Sequence, residues 1–166
     1  MTQSRVMGGM FGVRQAAGLL VAVSGSLLLG ALAFQFIGGL KPCEMCHWQR
    51  WAHLVVLAVA GLAWVRGNRA LGWLAVLAMA GAAGLGLFHG GVELKWWPGL
   101  TGCASPVVPG MSTDAMLESL LTAPLVRCDE IPWSLLGLSM AGWNAVLSAG
   151  AALCGAMVLL FTGKRA

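Results

Sequence analysis

Apolar residues dominate this chain in four long stretches separated by short polar segments. The first runs from about Ala16 to Ile37 and the second from about Trp48 to Val65. The third runs from about Ala70 to Phe88 and the fourth from about Trp143 to Phe161. Each approaches the roughly 20 residues that a helix needs to cross a hydrocarbon core. The pattern predicts an all-α membrane protein, a four-transmembrane-helix bundle filling residues 1–166 as a single integral membrane domain. Small residues inside the spans suit close helix packing in lipid, and Ser24-Gly25-Ser26, Gly30 and the stretch Gly81 to Gly86 are the candidate contact faces.

The segments between spans are unequal. Residues 38–47 make a brief connection and residues 66–69 a tight turn, whereas residues 89–142 form a long loop of the kind that usually carries function. Gly99, Gly102, Pro106, Pro109 and Gly110 break regular structure early in that loop. Ser112-Thr113-Asp114 then reads as a helix start. Met116, Leu117, Leu120 and Leu121 follow at helical spacing and stop before Pro124, which predicts a short amphipathic helix on the bilayer surface. Trp48, Trp51, Trp96, Trp97 and Trp133 fall near span ends, where indoles anchor at the interface; lining a pocket is their second expected use.

Charge sets the orientation. If both termini and the 66–69 turn share one side, that side holds Arg5, Arg14, Arg66, Arg69, Lys164 and Arg165 and no acid. The other side holds all six acids, Glu44, Glu93, Asp114, Glu118, Asp129 and Glu130, with Lys41, Arg50, Lys95 and Arg127. The positive-inside rule places the first side in the cytoplasm and segments 38–47 and 89–142 outside. The first apolar run is long for a signal peptide ending at Ala31-Leu32-Ala33, so a retained helix is expected. The 166 residues are 58% hydrophobic and 10% charged, with a mean hydropathy of +0.81. That excludes a water-soluble domain and leaves no room for a separate catalytic module. The basic pI of about 9.1 comes from Lys and Arg flanking spans, with no aromatic-interleaved patch for nucleic acid.

The chemistry rests on cysteines. Four of the five, Cys43, Cys46, Cys103 and Cys128, fall in the outer segments, where disulfides form and persist. The fifth, Cys154, lies in mid-span and is expected to be a small buried hydrophobe. Cys43-Glu44-Met45-Cys46 follows Pro42 at the mouth of the second span, so free amide N–H groups of a starting helix would favour a thiolate there. Arg50 stands four residues after Cys46, on the same helical face. A structural disulfide needs no such activation, and a lipid-dissolved acceptor could reach Cys46. Three pairings of four cysteines are open. Other readings of the same residues stand beside redox exchange. Cys43-x-x-Cys46-His47 is the attachment pattern of a c-type haem, with His47 as axial ligand. Permanent staples in a non-catalytic membrane subunit are a third reading. A zinc site from Cys43, Cys46, His47 and a loop cysteine has the ligand types, but nothing fixes the distant ligand, so no metal is expected.

Taken together, Phe34-Gln35, Leu40-Lys41-Pro42-Cys43-x-x-Cys46 and Gln49-Arg50 resemble the DsbB family of quinone-linked membrane thiol oxidases. His89 with Gly91-Val92-Glu93, Trp96-Trp97, Cys103, Arg127-Cys128-Asp129, Trp133, Gly137-Leu138-Ser139 and Trp143-Asn144 extend the resemblance over nearly the whole chain. It implies a bacterial inner-membrane enzyme that reoxidises a periplasmic thioredoxin-fold dithiol oxidase of DsbA type. The electrons would pass to the membrane quinone pool, ubiquinone or menaquinone. By that resemblance, Cys103 takes the attack of the reduced partner and Cys128, once released, attacks Cys43. Cys46 becomes the thiolate facing the quinone, and Arg50 holds the quinone and its developing charge. His89 is expected near the quinone ring, with an interfacial histidine bonded to a backbone carbonyl as the plain alternative. His47 could tune the Cys46 thiolate, and Glu93 and Gln35 are further polar neighbours of the site.

Overall fold

The computed structural model describes residues 2–100, 110–122 and 126–164. Cys103, and with it the expected pairing across the long loop, lies outside the described residues. Four long helices dominate: α1 (Thr2–Phe36), α2 (Glu44–Arg66), α3 (Arg69–Glu93) and, after a short α4 (Thr113–Thr122), α5 (Met140–Lys164). They close in a ring in which α1 packs on α2, α2 on α3, α3 on α5 and α5 on α1, with α1 and α3 also meeting across the middle. Met10–Phe36, Arg69–Glu93 and Met140–Thr162 are long and apolar enough to cross a membrane.

The helix ends follow from local sequence. Cys43 is the N-cap of α2, its Sγ accepting the Cys46 amide at 3.3 Å. Gly67 stops α2 in the left-handed region at φ 61°, and one residue later Asn68 caps α3 by accepting from the Leu71 amide at 3.1 Å. At the far end of α3, Trp96 N–H reaches Gly91 O at 2.9 Å and Lys95 N–H reaches Val92 O at 3.1 Å. That is the two-bond Schellman ending, with Lys95 at φ 61° in the position that glycine usually fills. Ser112 starts α4 as expected, its Oγ accepting from Ala115 N–H at 3.3 Å. Just before α5 a two-strand hairpin forms from β1 (Ser134–Leu135) and β2 (Leu138–Ser139). Its turn residues, Leu136 and Gly137, both have positive φ, as a tight hairpin turn of the primed type requires.

The core is built from small side chains. Ala16, Ala17, Ala60, Ala63, Ala75, Ala151 and Ala152 are buried together with Val13, Leu20, Val56 and Met79, while many of the large apolar residues face outward. Leu29, Phe36, Trp64, Leu77, Leu87, Leu153 and Phe161 are all exposed. Such an exterior suits hydrocarbon, where only close backbone approach and polar bonds hold helices together. Of the small-residue stretches expected at contacts, Ser24 and Gly86 are indeed at interfaces. Gly25, Gly30, Gly81 and Gly84 face open space, because each helical step turns the chain by about 100° and only one stripe meets a neighbour. A Cβ at Gly86 would lie 2.8 Å from Ala145 N and 3.1 Å from Ala141 O. This is where α3 and α5 approach most tightly against the backbone. Cys154 departs from expectation: it is exposed on the outer surface of α5 and not buried in the core, since mid-span position along a helix says nothing about which side a residue faces.

α1 extends beyond the apolar run that predicted it, starting at Thr2 and not near Ala16. Arg14 belongs to this extension, and its Nε donates to the Trp64 carbonyl in the last turn of α2 at 3.2 Å. The end of the bundle that carries Arg14, Arg66 and Arg69 is thus opposite the end that carries Cys43.

Candidate functional site

At the Cys43 end, a cavity of about 490 Å³ opens between α1, α2, α3, α5 and the segment 126–133. Apolar walls come from Leu27, Phe34, Ile131, Trp133 and Trp143, with the Phe34 and Trp133 rings 4.8 Å apart and tilted by 52°. Cys43, Cys46, Gln49, Arg50, His53, His89, Glu93 and Asn144 supply the polar wall. Trp48, Trp51, Trp96 and Trp97 lie outside it and are exposed, whereas Trp133 and Trp143 line it.

The two sulfurs of the pair are in contact, Cys43 Sγ to Cys46 Sγ 2.8 Å, with Cys43 buried and Cys46 half-buried. Both precede the part of α2 read as membrane span. They share protons unequally. The Cys43 S–H donated to Cys46 holds the Cys46 thiol below the ordinary thiol range, with the nearby Arg50 cation helping and burial and Glu93 opposing. The same bond, with burial, pushes Cys43 up. Of the two, Cys46 is the sulfur that loses its proton more readily.

Arg50 is fixed from α1. Its Nη1 donates to Gln35 Oε1 at 2.5 Å and its Nη2 to the Ala31 carbonyl at 3.2 Å. Neither bond neutralises the guanidinium, which keeps its charge at the cavity wall. His89 is buried, and its Nε2 lies 3.1 Å from the Cys128 carbonyl and 3.7 Å from Cys43 Sγ. It lines the cavity and is bonded to a backbone carbonyl. Glu93, one turn on, lies 3.9 Å from His89 Nε2 and accepts from the Ser139 hydroxyl.

Cys128 is buried against Cys43, Met45 and Val92, so the structure brings one cysteine of the long loop to the membrane-proximal pair. Its neighbour Asp129 clamps the segment. Asp129 accepts from Arg127 Nε at 3.0 Å and Nη2 at 2.8 Å, and from Lys95 Nζ at 2.5 Å. These bonds, the Arg127 one foremost, hold the Asp129 carboxyl well below the usual carboxylate range. Lys95 reaches it because the Schellman ending of α3 turns its backbone left-handed.

His47, expected as a haem ligand or a thiolate tuner, is exposed and is not among the residues lining the cavity. It lies one residue past Cys46, and that step of helical rotation carries it off the site. A metal shared by the pair is disfavoured by geometry. Cys43, Cys46 and His89 offer three ligand atoms within 4.8 Å of one another, yet two thiolates on one tetrahedral zinc stand about 3.8 Å apart. At 2.8 Å the two sulfurs are too close together for that geometry.

Further polar residues at the site were given no role from sequence. Gln49, His53, Asn144 and Ser148 are buried and bonded to one another or to His89, and Ser24 is bonded to His53. The signal was present: a histidine inside the second apolar run and an asparagine opening the fourth are costly in lipid unless they serve a site.

Comparison with known proteins agrees over most of the chain. The family model described as disulfide bond formation protein DsbB matches residues 13–158. A disulfide bond formation protein B from Marinobacter nauticus is 34% identical over 156 residues, covering 86% of this chain and 89% of that protein. One from Aeromonas salmonicida is 36% identical over 141 residues, 82% of each chain, and one from a Polaromonas species is 31% identical over 166 residues, 88% of this chain and 90% of the relative. No solved structure matches significantly.

Proposed function

The chain belongs to the DsbB family of membrane disulfide-forming proteins, and we propose that it is a protein dithiol:quinone oxidoreductase. In this reading it reoxidises a thioredoxin-fold dithiol oxidase of DsbA type in the periplasm and delivers the electrons to a quinone, ubiquinone or menaquinone, of the inner membrane. The carrying observation is a thiol pair in contact, Cys43 with Cys46, set in the wall of an apolar cavity beside the charged Arg50.

The topology that goes with this function has four crossings, with α2 joining the three more apolar helices. Its inward-turned Gln49, Arg50 and His53 lower its apolar character without exposing charge to lipid. Both termini and the turn between α2 and α3 are then cytoplasmic. α4, whose Leu117 and Leu121 are exposed, rests on the outer bilayer surface.

Thiol–disulfide exchange supplies the route. The partner thiolate attacks Cys103 of a Cys103–Cys128 disulfide, and Cys128 leaves as a thiolate. Cys128 then attacks Cys43 of the Cys43–Cys46 disulfide, and the electron pair of that bond stays on Cys46. The partner's second thiol would release Cys103, which retakes Cys128 and frees Cys43; a quinone held in the cavity would then accept two electrons and two protons as the Cys43–Cys46 disulfide re-forms. The cavity fits such a head group: its volume is in the range of small-molecule sites, Phe34, Trp133 and Trp143 offer apolar faces, and Arg50 offers a fork of donors to an oxygen that gains charge. The chain's own part is to hold Cys46 deprotonated, place Arg50 and exclude water.

The test is quinol formation by the purified protein in detergent, given a reduced thioredoxin-fold dithiol and quinone, against Cys46→Ala. Quinol that depends on Cys46 supports the assignment. Undiminished quinol from Cys46→Ala, or none from the wild type with either quinone and several dithiols, refutes it.

A further inference from the structure

From Cys128 a line of hydrogen bonds runs down into the centre of the bundle, and its direction can be read. His89 Nε2 faces the Cys128 carbonyl at 3.1 Å. A carbonyl only accepts, so Nε2 carries the proton. In the neutral ring Nδ1 then accepts, and it does so from Gln49 Nε2 at 2.6 Å. Gln49 Oε1 accepts from Asn144 Nδ2 at 2.5 Å. Asn144 Oδ1 accepts from His53 Nε2 at 2.8 Å and from the Ser148 hydroxyl at 3.0 Å. His53 Nδ1 is left to accept from Ser24 Oγ at 3.0 Å. Every link has one donor and one acceptor, and no buried side-chain N or O among the described residues is without a partner.

Reversed, the line would still be satisfied at its deep end, because the Ser24 hydroxyl can turn to Met79 Sδ, 3.8 Å away. At its upper end it would set the Nε2 lone pair against the Cys128 carbonyl. The Cys128 main chain is therefore the group that selects the direction. Reversal afterwards requires both buried amides, Gln49 and Asn144, to rotate by half a turn within packed surroundings.

We propose that Gln49, Asn144 and His53 are positioning residues that keep the His89 proton on Nε2, so that one N–H serves the Cys128 carbonyl while that segment is docked and the Cys43 sulfur, 3.7 Å away, when it leaves. The second half rests on the redox function proposed above. When Cys103 resolves a Cys128–Cys43 disulfide, the Cys103–Cys128 bond forms, the Cys128–Cys43 bond breaks and its electron pair remains on Cys43 as a thiolate. That sulfur is the one of the pair whose own environment disfavours charge, and an N–H already aimed at it stabilises the leaving thiolate. Glu93, facing the same ring at 3.9 Å, is the acid nearest to this donor.

The experiment is imidazole ¹⁵N NMR of the full-length reduced chain in detergent, labelled at its three histidines. His89 and His53 are expected as single Nε2–H tautomers, and exposed His47 as an average. With the Cys128 segment loosened by Asp129→Asn, His89 is expected to keep the single Nε2–H tautomer while the line is intact and to lose it when Gln49→Met or Asn144→Leu is added, either one sufficing if the other fails to fold. His53→Leu is expected to do the same, and His53→Gln, which keeps a donor for Asn144, to restore it. A fixed Nε2–H at His89 in all these variants, or Nδ1–H in the wild type, overturns the proposal. A second arm follows resolution of a trapped Cys128–Cys43 disulfide, expected to slow about tenfold or more in Gln49→Met for the loss of a donor to a charged sulfur. An unchanged rate removes the donor role at Cys43. Failure of the quinol assay would fall on the proposed function and leave the tautomer result standing.

Discussion

Arg50 in α2 and Gln35 in α1 are joined by a 2.5 Å hydrogen bond, Nη1 to Oε1, and a second bond from Nη2 to the Ala31 carbonyl fixes the guanidinium against α1 at the cavity wall. Lysine keeps the charge but not the planar fork. Arg50→Lys is expected to raise the apparent quinone KM about tenfold, the worth of one charge-assisted bond. Gln35→Leu is expected to act in the same direction and more weakly, since it frees the fork without removing it. Steady-state quinol formation at varied quinone measures both. Wild-type KM in Arg50→Lys would take Arg50 out of the quinone site.

The unequal proton sharing between Cys43 and Cys46 has a pH signature. Cys46 lies below the ordinary thiol value of about 8.5, so its thiolate persists to lower pH than an ordinary thiol's and is lost only as pH falls through the lowered value. Removing the donor with Cys43→Ala lets Cys46 rise. Alkylation of Cys46 near pH 7, read by mass spectrometry, is expected to slow about tenfold for each unit of that rise. Near pH 10 the two proteins should converge. Superimposable profiles would contradict the assignment of the thiolate to Cys46.

The Asp129 clamp should fail in acid. Its carboxyl is depressed in the folded chain, so its contribution is complete above the unfolded value of about 3.9 and fades as pH falls below that, through the folded value. Hydrogen exchange in residues 126–133, corrected for intrinsic rates, is expected to be flat from pH 7 to 5 and to rise below about pH 4. Asp129→Asn should show the raised exchange at every pH. A wild-type segment equally protected at pH 3 would mean that apolar packing alone holds it.

Two glycines of α3 should respond oppositely to a side chain. Gly86 faces backbone atoms of α5 and Gly84 faces open space. Gly86→Val is expected to destabilise by about 1–3 kcal/mol through overpacking, and Gly84→Ala to be neutral or stabilising by up to about 1 kcal/mol through helix propensity. Thermal unfolding in detergent decides it, and equal midpoints for the two would show that the helices separate freely at Gly86.

Cys154→Ala is expected to leave quinol formation within twofold of wild type, because Cys154 is exposed, lies about 16 Å further along α5 than the cavity-lining Trp143 and is absent from the lining. Loss of turnover in that variant would mean that the electron route is misdrawn.

Much of this arrangement could be read before folding, for physical reasons that differ residue by residue. Three helices able to cross a membrane were legible because such a helix shows as an unbroken apolar run. Cys43, Cys46 and Arg50 were legible because their spacing is local and one helical turn places them together. His53 and Asn144 are 91 positions apart, and pairing across that separation depends on which stripe of α2 meets which stripe of α5. Spacing within one helix cannot supply that. The same limit explains His47, adjacent to the pair in sequence yet turned away from it, and Cys154, central in its helix yet outward. Gln35 was noted only as a polar neighbour; its hold on Arg50 needed the packing of α1 on α2.

The latch over the thiol pair stands partly in water, Lys95 being 60% exposed while Asp129 is nearly covered. Its grip is consequently a property of the bathing electrolyte as well as of the fold. Charges in such a position are screened over about 8 Å at physiological ionic strength and over about 3 Å in molar salt. Concentrated salt should loosen the Cys128 segment while leaving the apolar bundle beneath it untouched, visible as faster exchange in residues 126–133 alone. The mobility of this one cover is set by the surrounding solution, separately from the stability of the helices that hold it.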